Sequence, residues 1–323
     1  MDNALVLFQT DNPSFRTELE GILTGYNIIY NESPKTASID AETAANTTII
    51  FGNPRPEFLK LCPRLKWLQL HTSGANDYVN GEVDQRVLLT SSTGCYGHSV
   101  SEHMLALTLT LIKKMHLYRD EQAASRWQNR GTVKSIQGAV VLVIGLGDIG
   151  AKYGRLMKAL GAYVIGVRRS VRAKPDYIDE LLSVQQMDEA LPRADVVALI
   201  IPETKETTGL MGRPQLAKMK HGAVLINAGR GSAVDTEALC DALESGALGA
   251  AGLDVTDPEP LPADHRLWKL ENALITPHVA GARSMLETYQ YIMKHSLENA
   301  RRFVRGEALE SLVDYKTGFC FSK

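Results

Sequence analysis

Residues 140–161, VVLVIGLGDIGAKYGRLMKALG, decide how the rest of the chain is read. An apolar run from Val140 to Ile144 is followed by three glycines spaced G-x-G-x-x-G and then by an amphipathic stretch. That order spells strand, tight turn, helix. Gly145 allows the turn, Gly147 lets a pyrophosphate approach the backbone, and Gly150 lets the helix close on the strand. The first helical turn, carrying Asp148 and Ile149, offers its N–H groups to phosphate. The spacing alone would also suit a turn without a ligand; its position between an apolar run and a helix favours a dinucleotide.

The next run, AYVIGV at 162–167, forms the second strand of such a unit, and its end selects between dinucleotides. An NAD site needs an Asp or Glu here to accept from the ribose hydroxyls. This chain has Arg168, Arg169 and Ser170, and no acid before Asp176. A guanidinium fork suits a phosphate and removes the acceptor that NAD would use. NADP(H) is therefore the expected cofactor, with Arg168 foremost on the 2′-phosphate, then Arg169, and Ser170 as a weaker helper. NAD(H) stays open as a second cofactor, and a solvated basic loop is the alternative reading.

Outward from this unit the chain keeps alternating. DVVALII at 195–201, AVLINA at 223–228, AAGLDV at 250–255 and ALITPH at 273–278 are short apolar runs, as in a parallel sheet covered on both faces. The first hundred residues read as a separate α/β series through ALVLF at 4–8, TTIIFG at 47–52, KWLQLH at 66–71 and VLLTSS at 87–92. Between the two series, SVSEHMLALTLTLIKKM at 99–115 predicts one long helix capped by Ser99 or Ser101. Residues 283–305 predict another, placed to return to the first series. The expected fold is α/β: two similar halves with parallel sheets and a cleft between them.

With 323 residues, 44% hydrophobic, 22% charged and a formal net charge of −2, the chain has the composition of a soluble globular protein. That charge balance gives no general attraction to nucleic acid or to a membrane surface. The N-terminal ALVLF is too short for a signal segment, and the other apolar runs are too short or interrupted to span a bilayer. Four scattered cysteines, Cys62, Cys95, Cys240 and Cys320, lack C-x-x-C or metal-ligand spacing. The expectation is a cytoplasmic protein with no metal, nucleic acid or membrane partner.

Three stretches carry one chemically able residue each, just past an apolar run: VLINAGRGSAVD (224–235) with Arg230, AAGLDVTDPEPLP (250–262) with Glu259, and NALITPHVAGA (272–282) with His278. Strand C-terminal ends line the ligand crevice of an open α/β sheet, so the three are expected to converge. Together they suit a 2-oxo acid. Arg230 would hold the carboxylate and carbonyl oxygen, His278 would deliver a proton and take it back in reverse, and Glu259 would orient the imidazole.

On GLGDIG, INAGRGSAVDTEAL, GLDVTDPEPLP and ITPHVAG, in this order through nearly the whole chain, the sequence resembles the D-isomer-specific 2-hydroxyacid dehydrogenase family, glyoxylate/hydroxypyruvate reductases among them. The resemblance implies that Arg230, Glu259 and His278 are catalytic, and none departs from the family pattern. It implies a flavodoxin-like substrate domain over 1–98 plus 284–323, a Rossmann dinucleotide domain over 99–283, and a homodimer formed mainly through the latter. Ser73, Gly74 and Ala75 of SGANDYV (73–79) match the loop whose backbone grips the substrate carboxylate, and Tyr96 and His98 would approach substrate. Ile201, Pro202, Asn227 and Ala228 would run beside the dinucleotide, with Asp254 near the carboxamide. Glu102 and His103 would fix the start of the long helix, His103 as a buried structural residue. The implied activity is reversible, NAD(P)H-dependent reduction of a 2-oxo acid to a D-2-hydroxy acid. An NAD-dependent or phosphoglycerate-type dehydrogenase is the nearest alternative, and a non-catalytic dinucleotide sensor a remoter one.

Overall fold

A computed structural model describes residues 1–8, 12–31, 36–169, 173–281 and 285–320. Ser170 lies outside these residues. The chain divides into two units, residues 1–96 with 285–323 and residues 97–284.

The first unit is a five-stranded sheet of order β2-β1-β3-β4-β5, every neighbour parallel: β1 Asp2–Val6, β2 Tyr26–Tyr30, β3 Thr47–Phe51, β4 Trp67–Gln69 and β5 Leu88–Thr90. This is the flavodoxin-like order. Helices α1 (Pro13–Ile22), α2 (Ala41–Ala45) and α3 (Pro56–Leu59) connect the first strands. Strand β2 escapes the sequence reading because it is an edge strand, its residues half-exposed rather than forming a continuous apolar run.

The second unit opens with α4 (Gly97–Ile112) and α5 (Met115–Ala123), and its helices continue as α6 (Asp148–Ala159), α7 (Met187–Ala190), α8 (Arg213–Lys218) and α9 (Thr236–Glu244). Its seven parallel strands are β6 Val140–Ile144, β7 Tyr163–Arg168, β8 Glu180–Ser183, β9 Val196–Leu199, β10 Ala223–Asn227, β11 Leu248–Leu253 and β12 Ala273–Ile275. Their order is β12-β11-β10-β9-β6-β7-β8. The chain thus builds outward from β6 through β7 and β8, then crosses back to β9 on the other side of β6. Connections leave β6 and β9 in opposite directions, which opens a crevice at their C-terminal ends.

The expected single helix over 99–115 is two. Lys114 adopts a left-handed conformation, φ 56°, which interrupts the hydrogen-bond ladder before α5 begins. Nor do Ser99 or Ser101 cap it: the helix starts at Gly97, both serines are buried inside it, and the Ser101 hydroxyl donates to the His98 carbonyl. Glu102 and His103 likewise lie beyond its first turn. Helix α6 presents Gly150, Tyr153, Gly154 and Met157 to the core, one face at helical spacing. The Tyr153 and Thr108 hydroxyls, 2.8 Å apart and buried, tie α6 to α4.

The last helix, α10 (Leu286–Val304), packs in the first unit through Met293, Leu297 and Ala300, and Phe303 stacks on Trp67 at 5.1 Å. Fully buried Asn299 completes the seat. Its amide donates to Gln69 Oε1 at 2.8 Å and to the Glu310 carbonyl at 3.1 Å, and its oxygen accepts from the Glu310 N–H at 2.8 Å. Replacing Asn299 with Ala leaves both Glu310 backbone groups without these partners. The expected loss is about 2–4 kcal/mol of unfolding free energy, read from urea denaturation, whereas a change under about 0.5 kcal/mol would show that the amide is dispensable.

Candidate active site

The glycine turn follows β6 at the reversal point. Gly145 takes φ +100°, and its N–H bonds the Val167 carbonyl at 2.9 Å. A side chain at 150 would run into the Gly145 carbonyl oxygen, so helix α6 sits as close to the strand as glycine permits. Gly147, the N-cap of α6, differs: among the described residues nothing lies within 4 Å of where its side chain would be, and none caps the helix with a side chain. Asp148 is turned aside, its carboxylate accepting from Lys152 at 2.7 Å. What remains is a helix N-terminus without a side-chain cap among the described residues, the arrangement that accepts a pyrophosphate.

Neighbouring strand ends extend the crevice. Ile144 stands opposite Leu199 of β9 and Val167 of β7, and Leu199 stands opposite Asn227 of β10. Ile201 and Pro202 follow β9, with Ile201 nearly buried and Pro202 exposed. The Ala228 N–H bonds the Leu199 carbonyl at 3.3 Å, so Asn227 and Ala228 lie on the same rim. At the end of β7, Arg168 is half-buried and donates from Nη2 to the Ala173 carbonyl at 3.4 Å, while its buried Nε has no hydrogen-bond partner among the described residues. Arg169 is exposed, and among the described residues neither arginine forms an ion pair. A cation with an unspent donor at this strand end fits a dinucleotide carrying an extra phosphate.

Arg230, Glu259 and His278 follow three adjacent strands. Asn227, Leu253 and Ile275 stand opposite one another in β10, β11 and β12. The Asn227 amide accepts from the Gly229 N–H at 3.1 Å and donates to the Arg230 carbonyl at 2.9 Å, folding the first loop. Arg230 Nη1 donates to the Gly229 carbonyl at 2.8 Å. Gly231 lies so close to the Thr256 carbonyl that a side chain there would collide with it, which joins the Arg230 loop to the Glu259 loop. His278 Nδ1 is 2.7 Å from Glu259 Oε1, and both side chains remain accessible. A carboxylate only accepts, so Nδ1 carries a proton, and Nε2 is left as the ring nitrogen not engaged by Glu259.

Behind His278 stands Asp254, 2% exposed. It accepts from the Thr276 hydroxyl at 2.6 Å, the Val279 N–H at 2.9 Å and the Ala280 N–H at 3.1 Å. The His278 N–H bonds the Asp254 carbonyl at 2.8 Å, and His278 itself takes φ +53°. Nothing in T-P-H-V announces that left-handed turn. Sequence reasoning also missed Thr276, whose hydroxyl meets His103 Nε2 at 2.9 Å; the only hint was its place just before Pro277. His103 is therefore tied to the active-site turn instead of the helix start.

The residues expected to meet substrate, Ser73, Gly74, Ala75 and Tyr96, belong to the first unit. Ser73 is exposed, Gly74 intermediate and Ala75 buried, and the Thr72 hydroxyl donates to the Gly74 carbonyl at 2.7 Å. The Tyr96 hydroxyl donates to the His71 carbonyl at 2.6 Å, and burial pushes its phenol upward, so it acts as a neutral group.

Residues 105–280 match the family profile described as D-isomer specific 2-hydroxyacid dehydrogenase, NAD binding domain. The chain is 30% identical over 272 residues to glyoxylate/hydroxypyruvate reductase B of Erwinia tasmaniensis, covering 81% of this chain and 83% of that protein. Among solved structures, a D-isomer specific 2-hydroxyacid dehydrogenase family protein from Aeromonas salmonicida has a TM-score of 0.85 at 29% identity, over 97% of this chain and 99% of that one. A D-isomer specific 2-hydroxyacid dehydrogenase from Xanthobacter autotrophicus Py2, in complex with NADPH and MES, has a TM-score of 0.81 at 26% identity, over 99% of this chain and 100% of that one.

Proposed function

The chain belongs to the D-isomer-specific 2-hydroxyacid dehydrogenase family, and from that premise we propose that it reduces a small 2-oxo acid to the D-2-hydroxy acid with NADPH preferred over NADH. The observation that carries the reading is the 2.7 Å contact between His278 Nδ1 and Glu259, made at strand ends next to the Arg230 loop. Held in this crevice, the nicotinamide would supply a hydride to the substrate's carbonyl carbon. His278 Nε2 donates the proton that the carbonyl oxygen takes up, and Glu259 holds the ring through Nδ1. Arg230, steered by its bond to the Gly229 carbonyl, binds the carboxylate and draws charge toward the carbonyl oxygen. In reverse, His278 takes the proton back. The glyoxylate and hydroxypyruvate reductases among the relatives support small 2-oxo acids as substrates.

For the cofactor, residues 145–150 would hold the pyrophosphate and Arg168, aided by Arg169, the 2′-phosphate. Ile201, Pro202, Asn227 and Ala228 would flank the dinucleotide along the strand-end rim, and Asp254 would stand by the carboxamide. The NADPH complex of the Xanthobacter relative supports this choice. The second unit leaves Leu109, Met115, Trp127 and Trp268 exposed, Trp127 completely, and covering them in a homodimer would remove that apolar area from water. Four free cysteines fit a reducing, cytoplasmic setting. Among the described residues no helix is long and apolar enough to cross a membrane.

The decisive variant is His278→Gln, expected to lower kcat by about 10²- to 10⁴-fold while the NADPH Kd stays within about threefold. Unchanged turnover would remove His278 from the chemistry. Arg168→Asp is expected to cut the NADPH-over-NADH preference in kcat/KM by about 10- to 100-fold, the scale of one charge-assisted hydrogen bond. A retained preference would put the selector elsewhere. Sedimentation equilibrium should give a dimer, and a monomer at micromolar concentration would refute the assembly.

A further inference from the structure

His103 lies on α4, remote in sequence from the strand ends, yet its ring reaches the turn that presents His278. Nε2 is 2.9 Å from Thr276 Oγ1 and 3.6 Å from Asp254 Oδ1. A threonine hydroxyl has one proton to give. Its shorter contact, 2.6 Å, is to the Asp254 carboxylate, which also accepts from the Val279 and Ala280 N–H groups. With three donors converging on it, Asp254 acts purely as acceptor, and the hydroxyl proton goes there. Thr276 Oγ1 must then accept from His103, which fixes the His103 tautomer as the one bearing hydrogen on Nε2. The order of donation is His103 to Thr276 to Asp254, with Val279 and Ala280 donating from the other side.

This chain of bonds has work to do because His278 takes φ +53° without being glycine. A side-chain-bearing residue in that region is strained and persists only where surrounding contacts over-determine it. Asp254 supplies most of those contacts, and Thr276 orients Asp254. An apolar side chain at 103 would fill the space but leave the Thr276 oxygen without its donor. We propose that His103 is a positioning residue for His278, holding the 276–280 turn by donating from Nε2 to the Thr276 hydroxyl. This rests on the reading of His278 as proton donor.

The test compares His103→Leu, which removes the donor, with His103→Gln, which retains an N–H at similar reach, and with Thr276→Val alone and combined with His103→Leu. The readouts are kcat and KM for 2-oxo acid reduction, the NADPH Kd, and amide exchange over residues 276–281. His103→Leu should lower kcat and speed exchange, each by about tenfold, with KM and Kd within about twofold. His103→Gln should recover kcat to within about threefold, and the double variant should be no slower than Thr276→Val, since both act through one hydrogen bond. The proposal is overturned if His103→Leu changes neither kcat nor exchange, if Gln rescues no better than Leu, or if the two effects multiply. Should His103→Leu not fold, the remaining pair decides: Gln active and Val impaired supports it, and any other pattern overturns it. An unmodified protein that reduced no 2-oxo acid would sink the proposed function, while the exchange measurements would still judge His103.

Discussion

The Asp254 carboxylate gathers the Thr276 hydroxyl and two consecutive backbone amides, Val279 and Ala280, at the end of β11. Burying a charge without such partners costs several kcal/mol, so this acceptor and its donors stand or fall together. The turn they make cannot be an ordinary one. With His278 in the left-handed region, the imidazole leaves the strand end toward Glu259, where the 2.7 Å contact fixes its tautomer. Loss of the Asp254 contacts would release the turn, the tautomer and the direction of Nε2 at once. The proposed proton transfer therefore depends on a residue that need never meet the substrate.

Sheet topology does the rest of the positioning. Parallel strands bring all their C-terminal ends to one rim, and the crossover from β8 to β9 puts the reversal beside the glycine turn. Gly147, Arg168 and Ile201, proposed for the dinucleotide, and Arg230, Glu259 and His278, proposed for the chemistry, end or follow successive strands of one sheet. No long-range rearrangement is needed to gather them within the second unit. Close approach by Gly150 and Gly231 then draws the helix and the neighbouring loop into place.

Much of this was legible because it depends on backbone spacing. G-x-G-x-x-G after an apolar run carries its own geometry, and Arg168 was conspicuous for standing where an acid would serve NAD. The three side chains proposed for the chemistry could be picked out from their places just beyond strand-like runs, and the contact of His278 with Glu259 was expected from their chemistry. Other features were hidden for physical reasons. Edge strand β2 lacks the continuous apolar signal of a strand buried on both faces. The break at Lys114 is a single left-handed residue inside an otherwise helical pattern. The serines chosen as caps are buried within α4, since the helix starts earlier, at Gly97. His103 meets Thr276 across 173 residues of sequence, and no local pattern records a contact of that kind.

If the protein reduces 2-oxo acids stereospecifically with NADPH, the handedness of the product reports it. The purified protein is given glyoxylate, hydroxypyruvate, pyruvate and larger 2-oxo acids with NADPH and, separately, with NADH, and each chiral 2-hydroxy acid is resolved by chiral chromatography. Turnover of at least one small 2-oxo acid is expected, with higher kcat/KM for NADPH and only the D-isomer from any substrate whose product is chiral. No turnover with either dinucleotide, or formation of the L-isomer, would contradict it.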